Sequence, residues 1–314
     1  MRIAVDAMGG DYAPHEIIKG VVEELPEHKF EIVLVGQPEA VERELSRYNL
    51  DGSRISIFQA EEIIGMGEQP VQAIRRKRNS SIVVGLELVK NGQASAFVSA
   101  GSTGAITTAA LLTLGKNEWV SRPALGIIFN SPSGPVLFLD VGANPDCKPK
   151  HLLQFAQMGD IYMRTIFQIP KPRIGLLSNG EEEIKGNKLV RAAYQLLAKS
   201  ELNFIGNIEG QELPKGKADV VVTDGFTGNV VIKLGEGLAE VFAELSRQGM
   251  EDSLLLKEVQ RRILDYTALG GALLLGIKGN VIIAHGRSDA KAIRQAIRLA
   301  EQVVEQRAAE ALGS

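Results

Sequence analysis

Short runs rich in Val and Ile return along the whole chain, separated by stretches of helical period, and this alternation limits the fold more than any other feature. The runs lie at 3–5, 31–35, 55–58, 94–99, 125–129, 136–140, 173–177, 203–206, 220–223 and 281–284. Strands alternating with helices predict an α/β protein of three layers, Rossmann-like, with a mainly parallel sheet covered by helices. Several runs end in Asp, Ser, Thr or Gly just before a helical period. Ligands of such sheets bind beyond the carboxyl ends of the strands, so the turns there are the first places to look for function.

Two later helices carry apolar stripes, one of Leu234, Leu238, Val241 or Phe242 and Leu245, the other of Ile293, Ile297, Ala300 and Val304. Both read as core or subunit-packing faces. No low-complexity linker, repeat or change of composition cuts the chain, which predicts a single domain over 1–314 with a helical projection at 235–279. The first residues reach Asp6 too soon for a signal or transit peptide. The uncharged stretch 92–115 is interrupted by Ser95, Ser99, Ser102, Thr103, Thr107 and Thr108, so it reads as strand, turn and helix, not as a membrane span.

Glycine makes up 33 of 314 residues, above the usual share of about 7%. Many of these glycines fall in the strand-end turns. The first cluster is Asp6-Ala7-Met8-Gly9-Gly10-Asp11, where a tight turn alone accounts for the glycines. The second, Ser99-Ala100-Gly101-Ser102-Thr103-Gly104-Ala105, opens a helix of small residues. Free amides and the positive end of the helix dipole suit an anion there, and capping alone does not explain glycines flanking two hydroxyls. Asp140-Val141-Gly142-Ala143-Asn144, Thr223-Asp224-Gly225-Phe226-Thr227-Gly228-Asn229 and His285-Gly286-Arg287-Ser288-Asp289-Ala290 repeat the pattern. Singly these are ordinary turns; together they favour one polar site.

Neither the dinucleotide G-x-G-x-x-G nor the P-loop motif occurs, which argues against a dinucleotide enzyme or an NTPase. The net charge of −3 gives no general field for nucleic acid. The only dense basic run, Arg75-Arg76-Lys77-Arg78, lacks interleaved aromatics and fits a solvated helix face or a dock for an acidic partner. The only cysteine, Cys147, excludes an intramolecular disulfide and a multi-cysteine zinc site. With His151 four residues on it has the spacing of a nucleophile and base, although Pro149 between them starts a helix equally well. In Asn179-Gly180-Glu181-Glu182-Glu183-Ile184-Lys185-Gly186-Asn187, Lys185 is a point charge suited to phosphate. The run 254–279 joins an amphipathic piece to an apolar one; an interfacial helix and a buried hairpin both fit.

Taken in order, these turns resemble those of the bacterial phosphate acyltransferase (PlsX) family, from the first strand to the last helix. The resemblance implies conversion of acyl-acyl-carrier-protein and inorganic phosphate into acyl phosphate and free carrier protein, for phospholipid (phosphatidic acid) synthesis. It implies the fold of phosphotransacetylases and isocitrate-type dehydrogenases, a homodimer, and a cytoplasmic protein held peripherally at the membrane through 254–279. A membrane glycerol-3-phosphate acyltransferase is a further expected partner; nucleic acid, metal and cofactor are not expected. Lys185, Asn229 and His285 are the expected catalytic residues: Lys185 neutralises phosphate, Asn229 holds phosphate or the developing oxyanion, and His285 supports hydrogen bonding or proton transfer. Asp6, Gly10, Gly101, Ser102, Thr103, Gly104, Asn144, Asp224, Gly225, Thr227, Gly228, Gly286 and Ser288 are expected to bind substrate. A phosphotransacetylase-like enzyme using acyl-coenzyme A and a non-enzymatic membrane scaffold are the competing readings.

Overall fold

The computed structural model describes residues 1–49, 54–247 and 271–313. The chain forms two compact units, one of Met1–Trp119 with Leu269–Ser314, the other of Val120–Ala268.

The first unit holds β1 (Arg2–Asp6), α1 (His15–Glu24), β2 (Glu31–Gly36), α2 (Pro38–Leu45), β3 (Ile55–Gln59), α3 (Pro70–Arg76), α4 (Ser81–Lys90), β4 (Ala96–Ser99) and α5 (Thr103–Thr113). Its strands run in the order β3, β2, β1, β4, and each pairs parallel with its neighbour. Ile3, Ala4 and Val5 of β1 and Ala96, Phe97 and Val98 of β4 are apolar and buried, as strands covered on both faces must be. Edge strand β3, by contrast, alternates and keeps Ser56 and Gln59 on its rim.

The second unit is built on β5 (Ala124–Ser131) and β6 (Gly134–Leu139), an antiparallel hairpin. It continues through α6 (Pro149–Ile166), β7 (Ile174–Ser178), α7 (Lys188–Ala198), β8 (Phe204–Glu209), β9 (Val220–Val222) and α8 (Gly225–Arg247). The order is β5, β6, β9, β7, β8, parallel from β6 onward. The chain then completes the first unit with β10 (Ala272–Leu275), β11 (Asn280–Ile283), α9 (Ala290–Glu305) and α10 (Ala308–Gly313). β11 pairs parallel with β4 and antiparallel with β10.

Every strand expected from the Val/Ile runs is present, and β10 is a further strand inside the stretch expected to be helical. Leu273, Leu274 and Leu275 are buried in a short strand; Gly271 and Gly276 bracket it and break the helical period. The rest of the expected projection, 248–270, lies outside the described residues. The two apolar stripes also part company. On α9, Ile293, Ile297 and Ala300 are buried, with α1 packed alongside. On α8, Leu234 is 64% exposed, Leu238 44% and Val241 55%, preceded on the same face by exposed Phe226 and Val230. Leu234, Leu238 and Val241 are thus no part of the core that the described residues form.

Candidate active site

In the first unit β1, β4 and β11 are parallel neighbours, so the turns after them line one rim. Asp6 ends β1 with its carboxylate buried. One of its oxygens accepts the Ser99 hydroxyl at 2.6 Å and the other the Met8 amide at 3.0 Å, while Ser99 Oγ accepts the Gly101 amide at 3.1 Å. Burial pushes the Asp6 carboxyl above its ordinary range, against the pull of these donors. The relay fastens the first glycine turn to the second.

The third turn is tied in by backbone. Asp11 N donates to Gly286 O at 2.7 Å, and Ala284 N to Ser99 O at 2.9 Å. Gly10 has φ +100°, and a Cβ there would meet Gly286 O at 3.0 Å, so both its conformation and its neighbour exclude a side chain. Ser102 is the N-cap of α5, yet its hydroxyl makes no cap hydrogen bond. The first turn of α5 is thus left to whatever the rim binds, with Ser102 and Thr103 half-buried and Gly104 exposed. His285 is exposed; its Nδ1 accepts the Arg287 amide at 3.1 Å, which assigns the proton of the neutral ring to Nε2. Ser288 is buried, and its amide donates to His285 O at 2.9 Å.

The second unit repeats this plan with β6, β9 and β7. Asp140, fully buried, accepts the amides of Leu125, Gly142, Ala143 and Asn144 and the Asn144 side-chain NH2, at 2.8 to 3.2 Å. Burial raises its carboxyl while these donors hold it back. Asn144 Nδ2 also donates to Pro123 O at 2.7 Å, and Asn144 O accepts Gly225 N at 2.8 Å. Asn144 is therefore a brace beneath the turn. Asp224 caps α8 by accepting the Thr227 amide at 2.9 Å and hydroxyl at 2.8 Å. On the exposed side of that first turn, Asn229 donates to Val141 O at 3.2 Å.

Lys185 stands on the turn between β7 and α7, exposed, with no ion pair to any described residue. Its stem crosses Gly180, and Gly186 N donates to Asn179 Oδ1 at 2.8 Å, which shapes the turn. No helix begins at the acidic run; α7 starts after Asn187, whose side chain caps it. Asn187 and Leu189 share a cleft of about 480 Å³ with Asp146, Cys147, Phe226 and Thr227, within the size range of small-molecule sites.

Cys147 and His151 do not act as a pair. The thiol donates to Asn144 O at 3.5 Å, and His151 Nδ1 accepts the Lys148 amide at 3.1 Å. Burial, and then Asp140, push the thiol up to about 12, so it is no thiolate at neutral pH. Sequence reasoning missed Arg122, which lies exposed in the turn before β5 and whose charge is felt by Cys147 and His151. Only its place before Pro123 marked it. Two carboxylate groups among the described residues have metal-like spacing. The group of Glu24, Glu27 and His28 is bound by Arg294 and Arg298, and Lys217 bridges Glu181 and Glu212 of the other.

The model of the family described as "Fatty acid synthesis protein" matches residues 1–311. The chain is 50% identical to a phosphate acyltransferase of Pelotomaculum thermopropionicum, over all of this chain and 94% of that protein. It belongs to the phosphate acyltransferase family. A further relative of that name, from Dictyoglomus thermophilum, is 48% identical over 97% of this chain and 94% of its own. The chain is therefore an acyltransferase of fatty-acid synthesis, and the reading as a non-enzymatic scaffold falls. Among solved structures, a phosphotransacetylase from Streptococcus pyogenes superposes with a TM-score of 0.66 at 21% identity, covering 100% of this chain and 94% of that one. A 4-hydroxythreonine-4-phosphate dehydrogenase from Klebsiella pneumoniae gives 0.59 at 14%, covering 96% and 99%. At such identities the likeness is one of fold, and the fold is the one expected.

Proposed function

We propose that this phosphate acyltransferase moves the acyl group of an acyl-acyl-carrier-protein onto inorganic phosphate, releasing acyl phosphate and free carrier protein for phosphatidic acid synthesis. The observation that carries the reading is the full-length likeness to phosphate acyltransferases. Two rims of amides and small polar side chains at strand ends support it, because displacement on a thioester asks for positioning and charge stabilisation above all.

A phosphate oxygen attacks the thioester carbonyl carbon, the carbon–oxygen bond forms, and the carbon–sulfur bond breaks as the oxyanion collapses. The leaving thiol has an ordinary pKa of about 8.5, so it departs as thiolate without a strong acid and is then protonated by solvent. Lys185 neutralises phosphate, the amides at 102–104 donate to it, and Asn229 holds phosphate or the oxyanion. His285 supports proton transfer through Nε2. Asp6, Gly10, Gly101, Gly286 and Ser288 shape one rim, and Asn144, Asp224, Gly225, Thr227 and Gly228 the other.

The proposal extends to a homodimer, for which the exposed α8 stripe supplies an apolar surface, and to peripheral attachment on the cytoplasmic side of the membrane. The attachment expected through 254–279 narrows to 254–270, outside the described residues, because 272–275 is buried strand. No described helix is long and apolar enough to cross a membrane. A membrane glycerol-3-phosphate acyltransferase would consume the product. Incubation with acyl-carrier-protein thioester and phosphate, followed by trapping with hydroxylamine, should yield acyl hydroxamate only when phosphate is present. Product from acyl-coenzyme A alone would reassign the donor; product from neither would end the proposal.

A further inference from the structure

We propose that the basic end of α3, with the apolar side chains beside it, is the docking surface for an acidic helical partner. Under the function proposed above that partner is the acyl-carrier protein, and its identity rests on that reading. The surface itself stands on the geometry of the first unit.

Arg75, Arg76 and Arg78 are exposed, and no guanidinium among them makes a hydrogen bond or ion pair with a described residue. Lys77, in the same run, differs: its ammonium lies 2.6 Å from Glu68 and 2.7 Å from Ile63 O. Glu62 accepts the Asn79 amide at 2.9 Å, and Glu61 accepts the Gln59 side-chain NH2 at 3.0 Å. The local acids are thus engaged elsewhere. The negative end of a helix dipole favours cations in the last turn, which accounts for Arg75 and Arg76 in α3 but not for Arg78 beyond it.

The surface continues into the candidate site. Ile63, Met66 and Val71 are exposed around the helix start, an unusual concentration of large apolar side chains beside unpaired charge. The Met66 methyl lies 2.8 Å from where a Cβ on Gly286 would stand, and Pro70 lies 3.1 Å from one on Gly104. One end of the patch therefore borders the glycine rim, and the other presents guanidinium groups that match carboxylates in pairs. A protein with an acidic helix, bringing an acyl thioester to that rim, satisfies both ends. Nucleic acid fits less well, because the chain is acidic overall.

The test compares the wild-type enzyme with the triple charge reversal R75E/R76E/R78E and the neutral triple R75Q/R76Q/R78Q. Binding of fluorescently labelled holo-carrier protein is read by anisotropy, and turnover is measured with the acyl-carrier-protein thioester and with an acyl-N-acetylcysteamine thioester. Charge reversal should raise the carrier Kd and KM by about tenfold or more, while kcat and KM for the small thioester stay within about twofold. The neutral triple should give a smaller rise in the same direction, and it serves if the reversed variant fails to fold. Carrier Kd values within about twofold of wild type would overturn the proposal. So would a variant that loses only binding to phosphatidylglycerol vesicles or to single-stranded RNA. If the wild type binds carrier but forms no acyl phosphate, the function reading fails and the docking surface stands.

Discussion

A methyl group on Gly228 would overlap the carbonyl oxygen of Asp140, and one on Gly225 would stand 2.8 Å from the Asn144 backbone. Backbone cannot yield as a side chain can, so Gly228→Ala must lift α8 off the 140–144 turn. Overpacking of this kind costs about 1–3 kcal/mol, to be read as a lower denaturation midpoint, together with lost activity as Asn229 shifts. Lys185 and Asn229 are exposed, and truncating them removes little packing. Lys185→Ala and Asn229→Ala should each lower kcat/KM by about 10²–10³-fold at unchanged melting temperature. A folded variant with near-normal turnover would take that residue out of the mechanism. Cys147 gives the opposite expectation: its protonated thiol serves no covalent step, so Cys147→Ser should keep kcat/KM within about twofold. A collapse of turnover in that variant would restore the covalent route.

His151 adds a pH dependence of stability. Its folded pKa is lowered from 6.5, first by burial and then by Arg122, Lys150 and Lys148. The unfolded chain therefore binds the proton more readily, and stability is lost as pH falls below about 6.5 toward the lowered value. Thermal melts between pH 7.5 and 5 should show this loss, and His151→Gln should reduce its slope. An identical slope in that variant would assign the acid sensitivity to other groups.

At the scale of elements, the α9 and α8 stripes have the same apolar period and different fates. Periodicity reports that a helix has an apolar face, not what covers it, so burial of Ile297 and exposure of Leu234 were equally readable from the sequence. The exposed face supports the homodimer proposal and makes it testable. Leu234→Asp should shift the sedimentation of the protein toward monomer, whereas unchanged sedimentation would remove α8 from the assembly. The strands were legible for a physical reason: stretches such as Ile3-Ala4-Val5 and Val220-Val221-Val222 are covered on both faces and tolerate nothing but apolar side chains. β10 was not, because a run of Leu carries no β-branched signature and is too short to show a period.

For the whole molecule, the turns that carry function were legible because glycine and small polar residues mark strand ends whatever lies around them. Asp6 and Asn144 were picked out with the rest, yet the roles as buried struts seen here come from Ser99, Pro123 and Gly225, partners distant in sequence. The division into two units was equally hidden. No linker marks it, since the first unit closes only when β11 pairs with β4.

That pairing has a consequence for how the protein is made. During synthesis the chain emerges amino end first, and residues 1–119 arrive with one side of β4 unpaired. The second unit is continuous in sequence, so every strand of its sheet is available before the partner of β4 has been translated. Until β11 leaves the ribosome, the nascent chain carries an open edge of Ala96, Phe97 and Val98, all buried in the finished protein, and open apolar edges recruit other chains. The last strand to be made is therefore also the one that seals the protein against its neighbours.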